Sequence, residues 1–364
     1  MSRTVFILGA GASKQAGGPL MAEFLDVAEN LRRFRKSEIS AEHFALVFRG
    51  RASLQSVHSK SNLDLDNIES VFAAFEMAAL FKRPLGDVSV EDVQNLPSAT
   101  RRLIVQTLEK EIAFPFNGGR IMPPPPYHEF TALVKRIVGK DPAGVSLITF
   151  NYDLALDYAL HFNGLRSNYC LGDDAQGIPF MKLHGSFNWT RCSKSECGTV
   201  VPWHLHDFFS MANWDTVGMT PGSVAKLNLT ERIGDNLIHC GVPRLSDPVI
   251  VPPTWNKTQY HRDIASVWQN AARHLSEAEN IFVVGYSLPA TDHFFRYLYA
   301  LGTVGHALLR KFWVFDPDQT ISINDGLEQR YKNLLGPMTI SKFRHIGLKF
   351  AEAIGYIELN AGLT

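Results

Sequence analysis

The chain has 364 residues, 45% hydrophobic and 20% charged, a balance that supports a sizeable core and excludes a disordered or fibrous class. Lys plus Arg number 36 and Asp plus Glu 36, so the formal net charge is zero and gives no bulk drive toward nucleic acid or anionic lipid. Four cysteines in this length make no disulfide framework, no run reaches the roughly 20 apolar residues of a membrane span, and no secretory signal is read at the N-terminus. The expectation is a cytoplasmic protein with no direct nucleic-acid partner and no membrane partner.

In chain order, Thr4-Val5-Phe6-Ile7-Leu8-Gly9 is a continuous apolar run of the kind buried on both faces of a parallel sheet. A helix is predicted from near Pro19 to Arg33, with Leu20, Phe24, Leu25, Ala28 and Leu31 on one face. Residues 37–65 are polar and weakly patterned, which predicts a loop. Helical spacing follows from Asn67 to Phe81 (Ile68, Val71, Phe72, Phe75, Leu80), from about Ser98 to Phe114, and from Tyr127 to Val138. Pro123-Pro124-Pro125-Pro126 predicts a stiff connector before the last of these. Strands are predicted at Val145–Asn151, Phe180–His184, Pro248–Val251, Ile281–Tyr286 and Phe312–Phe315, with helices at Leu154–Phe162, Ile264–Leu275 and His293–Leu309. Alternating strands and helices predict an α/β fold, a Rossmann-like parallel sheet. Two insertions are expected in it: a mainly helical one over 37–140 and a small irregular one over 187–247.

Five segments could carry chemistry, each at a strand end, where parallel sheets bind ligands. Gly9-Ala10-Gly11-Ala12-Ser13 opens a helix directly after the first strand, as a phosphate-binding turn does. Lys14 stands where a dinucleotide fingerprint has its third Gly, and no strand carrying a ribose-binding acid follows. In Thr149-Phe150-Asn151-Tyr152-Asp153, Asn151 offers a donor and an acceptor to a water or ribose hydroxyl, and the other reading makes Asn151 or Asp153 a helix cap. His184 in Lys182-Leu183-His184-Gly185-Ser186 is either a general base or a structural histidine. Val284-Gly285-Tyr286-Ser287-Leu288-Pro289 offers a second close backbone approach, with Asp292 at a helix start, and Asp316 in Val314-Phe315-Asp316-Pro317-Asp318 an acid for a ribose. Each is otherwise a plain strand-to-helix turn.

The order of Gly-Ala-Gly-Ala-Ser, Phe-Asn-Tyr-Asp, Leu-His-Gly-Ser and Gly-Tyr-Ser resembles the sirtuin-like superfamily, in particular its bacterial NAD-hydrolase branch, often used in anti-phage defence. Asn67-Ile68-Glu69-Ser70-Val71-Phe72 resembles the helical segment such proteins carry early, and the likeness runs from residue 4 to about 318. It implies one sirtuin-like domain over 1–364 that takes NAD as substrate. Gly9, Gly11, Ala12 and Ser13 would line the pyrophosphate. Asn151 and Asp153 would face the nicotinamide ribose, His184 would be the base, and Gly285, Ser287 and Asp316 would serve the adenosine half.

The implied activity is an NADase. The alternatives are an NAD-dependent deacylase and a non-catalytic NAD or ADP-ribose sensor. Deacylases continue the glycine turn into Ile-Pro-Asp-Phe-Arg, whereas this chain reads Gly17-Gly18-Pro19-Leu20-Met21. No catalytic metal is expected. Structural zinc on Cys192, Cys197, Cys240 and a His such as His239 is chemically allowed, although the spacing differs from two Cys-x-x-Cys pairs. Expected partners are NAD, further copies of the chain in a homo-oligomer, and a separately encoded sensor or ATPase. The helices of 67–138 would form either an oligomer interface or ordinary core.

Overall fold

The computed structural model describes residues 3–56, 63–140, 144–172, 176–210, 214–215, 220–228, 238–243, 248–251, 264–289, 292–304, 307–318 and 326–363. The first apolar run is strand β1 (Thr4–Leu8), buried at every position. A short helix, α1 (Ala10–Lys14), follows at once, and α2 (Phe24–Phe34) begins later than the expected Pro19. Gly17, at φ +96°, turns the chain between the two helices.

Residues 37–65, expected as a loop, instead hold α3 (Ala41–Ser56), with 57–62 outside the described residues. Arg49 and Arg51 obscure its apolar pattern, yet Phe44 and Val47 are fully buried. Gly50 lets α3 close on its neighbours, since an added Cβ would lie 2.9 Å from the side chains of both Leu96 and Phe75. In α4 (Ile68–Phe81), Asn67 caps the first turn, its Oδ1 accepting from Glu69 N at 2.8 Å. Ile68, Val71, Phe72 and Phe75 are buried as the spacing predicts; Leu80, in the last turn, is 59% exposed.

α5 (Val90–Glu111) starts well before Ser98 because Ser89 caps it, Oγ accepting from Asp92 N at 3.1 Å, and the helix carries Pro97 inside. It stops at Glu111, so Phe114 falls in β2 (Phe114–Asn117), which pairs with β3 (Arg120–Ile121). α6 (Pro125–Lys140) takes up Pro125 and Pro126, so the proline run is only half connector. First-turn prolines cost nothing there, because those N–H groups have no helical acceptor.

The core then resumes with β4 (Val145–Thr149), α7 (Ala155–Phe162), β5 (Ser167–Asn168), β6 (Ile178–Lys182) and β7 (Gly185–Ser186). Residues 187–247 contribute β8 (Trp189–Arg191), β9 (Val200–Pro202), α8 (Leu205–Phe208), β10 (Trp214–Asp215), β11 (Val224–Leu227), β12 (Ile238–His239) and β13 (Val242–Pro243). β11 pairs with β2, so a small sheet ordered β10-β11-β2-β3 joins this segment to the helical one. β14 (Val249–Ile250) pairs antiparallel with β7 and does not enter the main sheet as expected. Pro248, directly before it, lacks the ladder donor that a central strand needs.

The last third holds α9 (Ala265–Glu277), β15 (Asn280–Val284), α10 (His293–Gly302), β16 (Lys311–Phe315), α11 (Leu327–Leu334), β17 (Phe343–Ile346) and α12 (Phe350–Asn360). α10 ends at Gly302, short of the expected Leu309. The tail beyond Asp318, without a motif, supplies the edge strand β17 and two helices.

Seven strands form one parallel sheet in the order β17-β16-β15-β1-β4-β6-β5. Register sets the two faces. Phe6 lies opposite Phe282 and Phe282 opposite Trp313, and that row packs on Phe130 of α6 and Tyr356 of α12. Phe312, one residue over, faces Tyr299 of α10 and Tyr331 of α11. Each buried aromatic contributes roughly 1.5–3 kcal/mol relative to exposure. The chain builds β1, β4 and β6 outward on one side, then returns to lay β15, β16 and β17 on the other. The order therefore reverses between β1 and β15, where a doubly wound sheet opens its ligand crevice.

Three glycines close that point. A Cβ on Gly9 would lie 2.5 Å from Gly285 O, one on Gly11 2.8 Å from Gly285 Cα, and one on Gly285 2.3 Å from Ala12 N, with Gly285 at φ +59°. Gly285→Ala is expected to cost about 3 kcal/mol or more in urea unfolding, through clash and strain together. Gly139→Ala, in α6 with open space around it, should be neutral or stabilising by about 0.5–1 kcal/mol. Equal midpoints for the two variants would contradict this packing.

Candidate active site

The glycine turn spends its own hydrogen-bonding groups on the sheet. Gly9 N donates to Val284 O at 3.0 Å, Gly11 N to Gly285 O at 2.8 Å and Ala12 N to Gly9 O at 3.0 Å. Gly285 N in turn donates to Phe315 O at 3.0 Å, linking the tips of β1, β15 and β16. Close backbone approach is thus used first by the protein itself; Ala10 and Gly11 remain half-exposed at the surface of the turn.

Asn151, just beyond β4, is tied to this turn. Its Nδ2 donates to Gly9 O at 2.9 Å and to Ser13 Oγ at 3.0 Å. Ser13 Oγ donates to Asp153 Oδ2 at 2.7 Å and lies 2.7 Å from the hydroxyl of Tyr127 on α6. Asp153 Oδ1 accepts from Ala155 N, the first N–H of α7, at 2.9 Å, in a local turn across Leu154, which is the N-cap itself; the cap position expected of Asn151 or Asp153 thus falls one residue later. Burial holds the Asp153 carboxyl above the usual carboxylate range, against the pull of the Lys182 ammonium and of its own donors. Asp153 is 5% exposed and Ser13 3%, so both side chains face inward.

His184 stands past the tip of β6, next to β4 in the sheet, and is 4% exposed. Its ring packs edge-on to Phe150 at 5.2 Å and near Tyr152 at 6.0 Å, and Phe150 stacks on Tyr286 at 4.0 Å. Phe150 thereby links the histidine beyond β6 to the tyrosine beyond β15. Tyr286 donates to Asp292 Oδ2 at 2.6 Å, and Asp292 Oδ1 caps α10 through Phe295 N at 3.2 Å. Gly185, at φ +82°, permits the β7–β14 contact, since a Cβ there would meet Val249 O at 1.9 Å.

On the other side, Ser287 is exposed and its carbonyl accepts from Arg330 Nε at 3.0 Å. Asp316 is half-buried beyond β16, its Oδ1 accepting from Asp318 N at 2.9 Å, and burial raises its carboxyl. The structure therefore gathers Gly9, Gly11, Ala12, Ser13, Asn151, Asp153 and Gly285 into one bonded cluster. His184 joins through Phe150, while Ser287 and Asp316 lie along the neighbouring strand tips.

Two further groups complete the site. Tyr127, 1% exposed, follows the prolines with nothing to mark it. Lys182 lies in the histidine motif, at the end of β6. Its ammonium is fully buried and donates to Asp153 O at 2.6 Å and Asp157 Oδ2 at 2.9 Å. Asp157 also accepts from Tyr169, whose hydroxyl accepts from Asn188 Nδ2 at 3.1 Å. This network pins the chain on both sides of His184 to the α7 turn that carries Asn151. A charge in an apolar strand is the signal that marked Lys182.

A separate cluster lies among the short strands of 187–247. Cys192, Cys197, His239 and Cys240 each offer one ligand atom, all within 4.8 Å of one another. His239 Nδ1 is 3.3 Å from Cys240 Sγ and 3.7 Å from Cys197 Sγ. Tetrahedral zinc, with Zn–S near 2.3 Å, spaces its ligands about 3.5–3.8 Å apart, so the donor set and its spread fit a closed structural zinc. Such an ion would cross-link the β8–β9 and β12–β13 hairpins.

The sheet and the reversal of its order define a Rossmann-like α/β protein with helices on both faces. No protein-family model and no curated protein matches the chain. Among solved structures it is similar to a Sir2 homologue–NAD complex, at 14% identity and TM-score 0.40, over 100% of this chain and 91% of that one. It is also similar to a Sir2–p53 peptide–NAD+ complex, at 12% identity and TM-score 0.39, over 100% and 94%. A mutant Sir2 homologue bound to ADP-ribose matches at 15% identity and TM-score 0.38, over 98% and 90%. Among the described residues, no helix is long and apolar enough to cross a membrane.

Lys182→Met leaves Asp157 buried without its cation and is expected to cost about 3–5 kcal/mol in urea unfolding; a cost under about 1 kcal/mol would contradict the pairing. Metal analysis of gently purified protein should find about one zinc per chain, lost in Cys192→Ser with Cys240→Ser. Metal-free protein with unchanged stability would contradict a structural site.

Proposed function

We propose that the chain binds NAD across the tips of β1, β4, β6 and β15 and hydrolyses it to nicotinamide and ADP-ribose. The observation that carries this reading is the junction at the point where strand order reverses. There the glycine turn, Asn151 and the His184–Phe150–Tyr286 wall converge. The diphosphate would lie along the half-exposed Ala10–Gly11 backbone, with Ser13 beneath it. The adenosine half would extend toward Gly285, Ser287 and Asp316. Asn151 would face the nicotinamide ribose, held by Ser13 and Asp153.

Nicotinamide leaves as a neutral base from a cationic ring, and its departure builds positive charge on the ribose carbon. The site must then fix the sugar, exclude bulk water and admit one nucleophile. Asn151 positions the attacking water, and His184 takes a proton from that water or from a ribose hydroxyl. Binding energy from the diphosphate supports strain at the reacting bond. Zinc on the cysteine cluster would brace the hairpins after His184 and supply no step of the reaction.

The order of sirtuin-like motifs supports an NAD-depleting anti-phage effector; a homo-oligomer under a separately encoded sensor or ATPase is the assembly we propose for it. Residues 1–364 then form one sirtuin-like unit with segments 37–140 and 187–247 inserted in it. Gly17-Gly18-Pro19-Leu20-Met21 in place of a deacylase loop favours water over an acyl-lysine as acceptor.

Incubation with NAD, with and without acetylated peptide and genomic-neighbour proteins, followed by mass spectrometry, tests the assignment. The expected product is ADP-ribose without peptide. Asn151→Ala and His184→Ala should each lower the rate by about 10²- to 10⁴-fold with the fold intact. O-acyl-ADP-ribose formed only with peptide would point to a deacylase, binding without turnover to a sensor, and full activity in His184→Ala would remove the base.

A further inference from the structure

The hydrogen bonds around Ser13 determine which end of the Asn151 amide meets a ligand. Gly9 O is an acceptor only, so the atom 2.9 Å from it must be the Asn151 amide nitrogen. The second N–H of that nitrogen goes to Ser13 Oγ at 3.0 Å. A hydroxyl has one hydrogen and two lone pairs. Ser13 gives its hydrogen to Asp153 Oδ2 and one lone pair to Asn151, which leaves the other lone pair for Tyr127 OH at 2.7 Å. Protonating Asp153 toward Ser13 would reverse the chain and leave the buried Tyr127 hydrogen without its acceptor, so the ionised carboxylate gives every donor a partner. The Asn151 orientation holds in either case, because Gly9 O fixes it. Asn151 Oδ1 accepts no hydrogen bond from the described residues and is not a buried atom.

We propose that Tyr127 is a positioning residue of this site: through Ser13 it locks Asn151 with its carboxamide oxygen toward the crevice, so that what binds there must be a hydrogen-bond donor, a sugar hydroxyl or a water. The proposal deepens the NAD reading and rests on it for the identity of that donor. It also assigns a task to α6, a helix outside the glycine and histidine motifs. Tyr127 is well placed for it, because its ring is wedged edge-on against Phe350 of α12 at 5.3 Å and cannot swing away. A site that receives a donor with a locked acceptor rejects a ligand lacking that donor, because the acceptor is then left unpaired.

The test is Tyr127→Phe, which removes one oxygen from a ring that keeps its packing. Two readouts are followed: turnover of NAD and of its 2′-deoxy and 3′-deoxy nicotinamide-ribose analogues, and hydrogen-exchange protection of the Asn151 side-chain NH2 by NMR. The expected result is a fall in kcat of about 10- to 100-fold with KM for NAD unmoved. Discrimination between NAD and at least one deoxy analogue should shrink, and NH2 exchange should quicken at least about tenfold. Ser13→Ala should move both readouts the same way. Wild-type kcat, discrimination and protection in Tyr127→Phe would overturn the proposal. If the wild-type protein turns over no NAD either alone or with its genomic-neighbour proteins, the hydrolase reading fails by itself, and the exchange readout alone decides the lock: faster exchange supports it and unchanged exchange overturns it.

Discussion

Everything at the candidate site depends on how closely the tips of β1 and β15 approach. Gly9, Gly11 and Gly285 leave no room for a side chain between them, and Gly285 O accepts from Gly11 N across the gap. That contact fixes the Gly9 carbonyl, which orients the amide of Asn151. It also brings Tyr286 beside Gly9, where Tyr286 stacks on Phe150 and Phe150 packs on His184. One steric constraint therefore sets the positions of the amide and the imidazole together.

Polar groups buried around this contact carry a real energetic cost. A fully buried Lys182–Asp157 pair gives up several kcal/mol of solvation per ion, and apolar replacements of both would often be no less stable. What the pair supplies is geometry: it ties the end of β6 to the first turn of α7, Lys182 also holds the preceding turn through Asp153 O, and Ser13, Tyr127 and Asp153 tie that turn to the loop after β1. These paired networks hold the reacting groups in place, and preorganisation of that kind is the main resource of a site that stabilises a short-lived cation.

Much of the architecture was legible in the sequence because apolar strands buried on two faces read as unbroken runs. β1 and β4 lie within such runs; β15 and β16 each begin one residue before theirs, at Asn280 and Lys311, and β6 begins two residues early at Ile178 and ends at Lys182, short of the expected His184. Each motif sits at or beyond a strand tip. The helices were legible where a clear stripe marked them, as Ile68, Val71, Phe72 and Phe75 mark α4. α3 was missed because Arg49 and Arg51 interrupt its pattern, although Gly50 and the buried Phe44 show it to be packed core. The start of α5 was missed because Pro97 reads as a break.

The site was legible in part. The glycines, Asn151 and His184 stand in recognisable strings, but the use of turn N–H groups within the sheet is a tertiary fact that no local string encodes. Tyr127 and the gathering of Cys192 and Cys197 with His239 and Cys240 depend on long-range folding for the same reason.

The most direct measurement is an experimental structure with ADP-ribose and nicotinamide bound. The account predicts the diphosphate over residues 9–13, the adenosine toward the tips of β15 and β16, and the other ribose within hydrogen-bond reach of Asn151 Oδ1 on the side nearest His184. A ligand seated elsewhere, or a ribose turned away from the tips of β4 and β6, would contradict it.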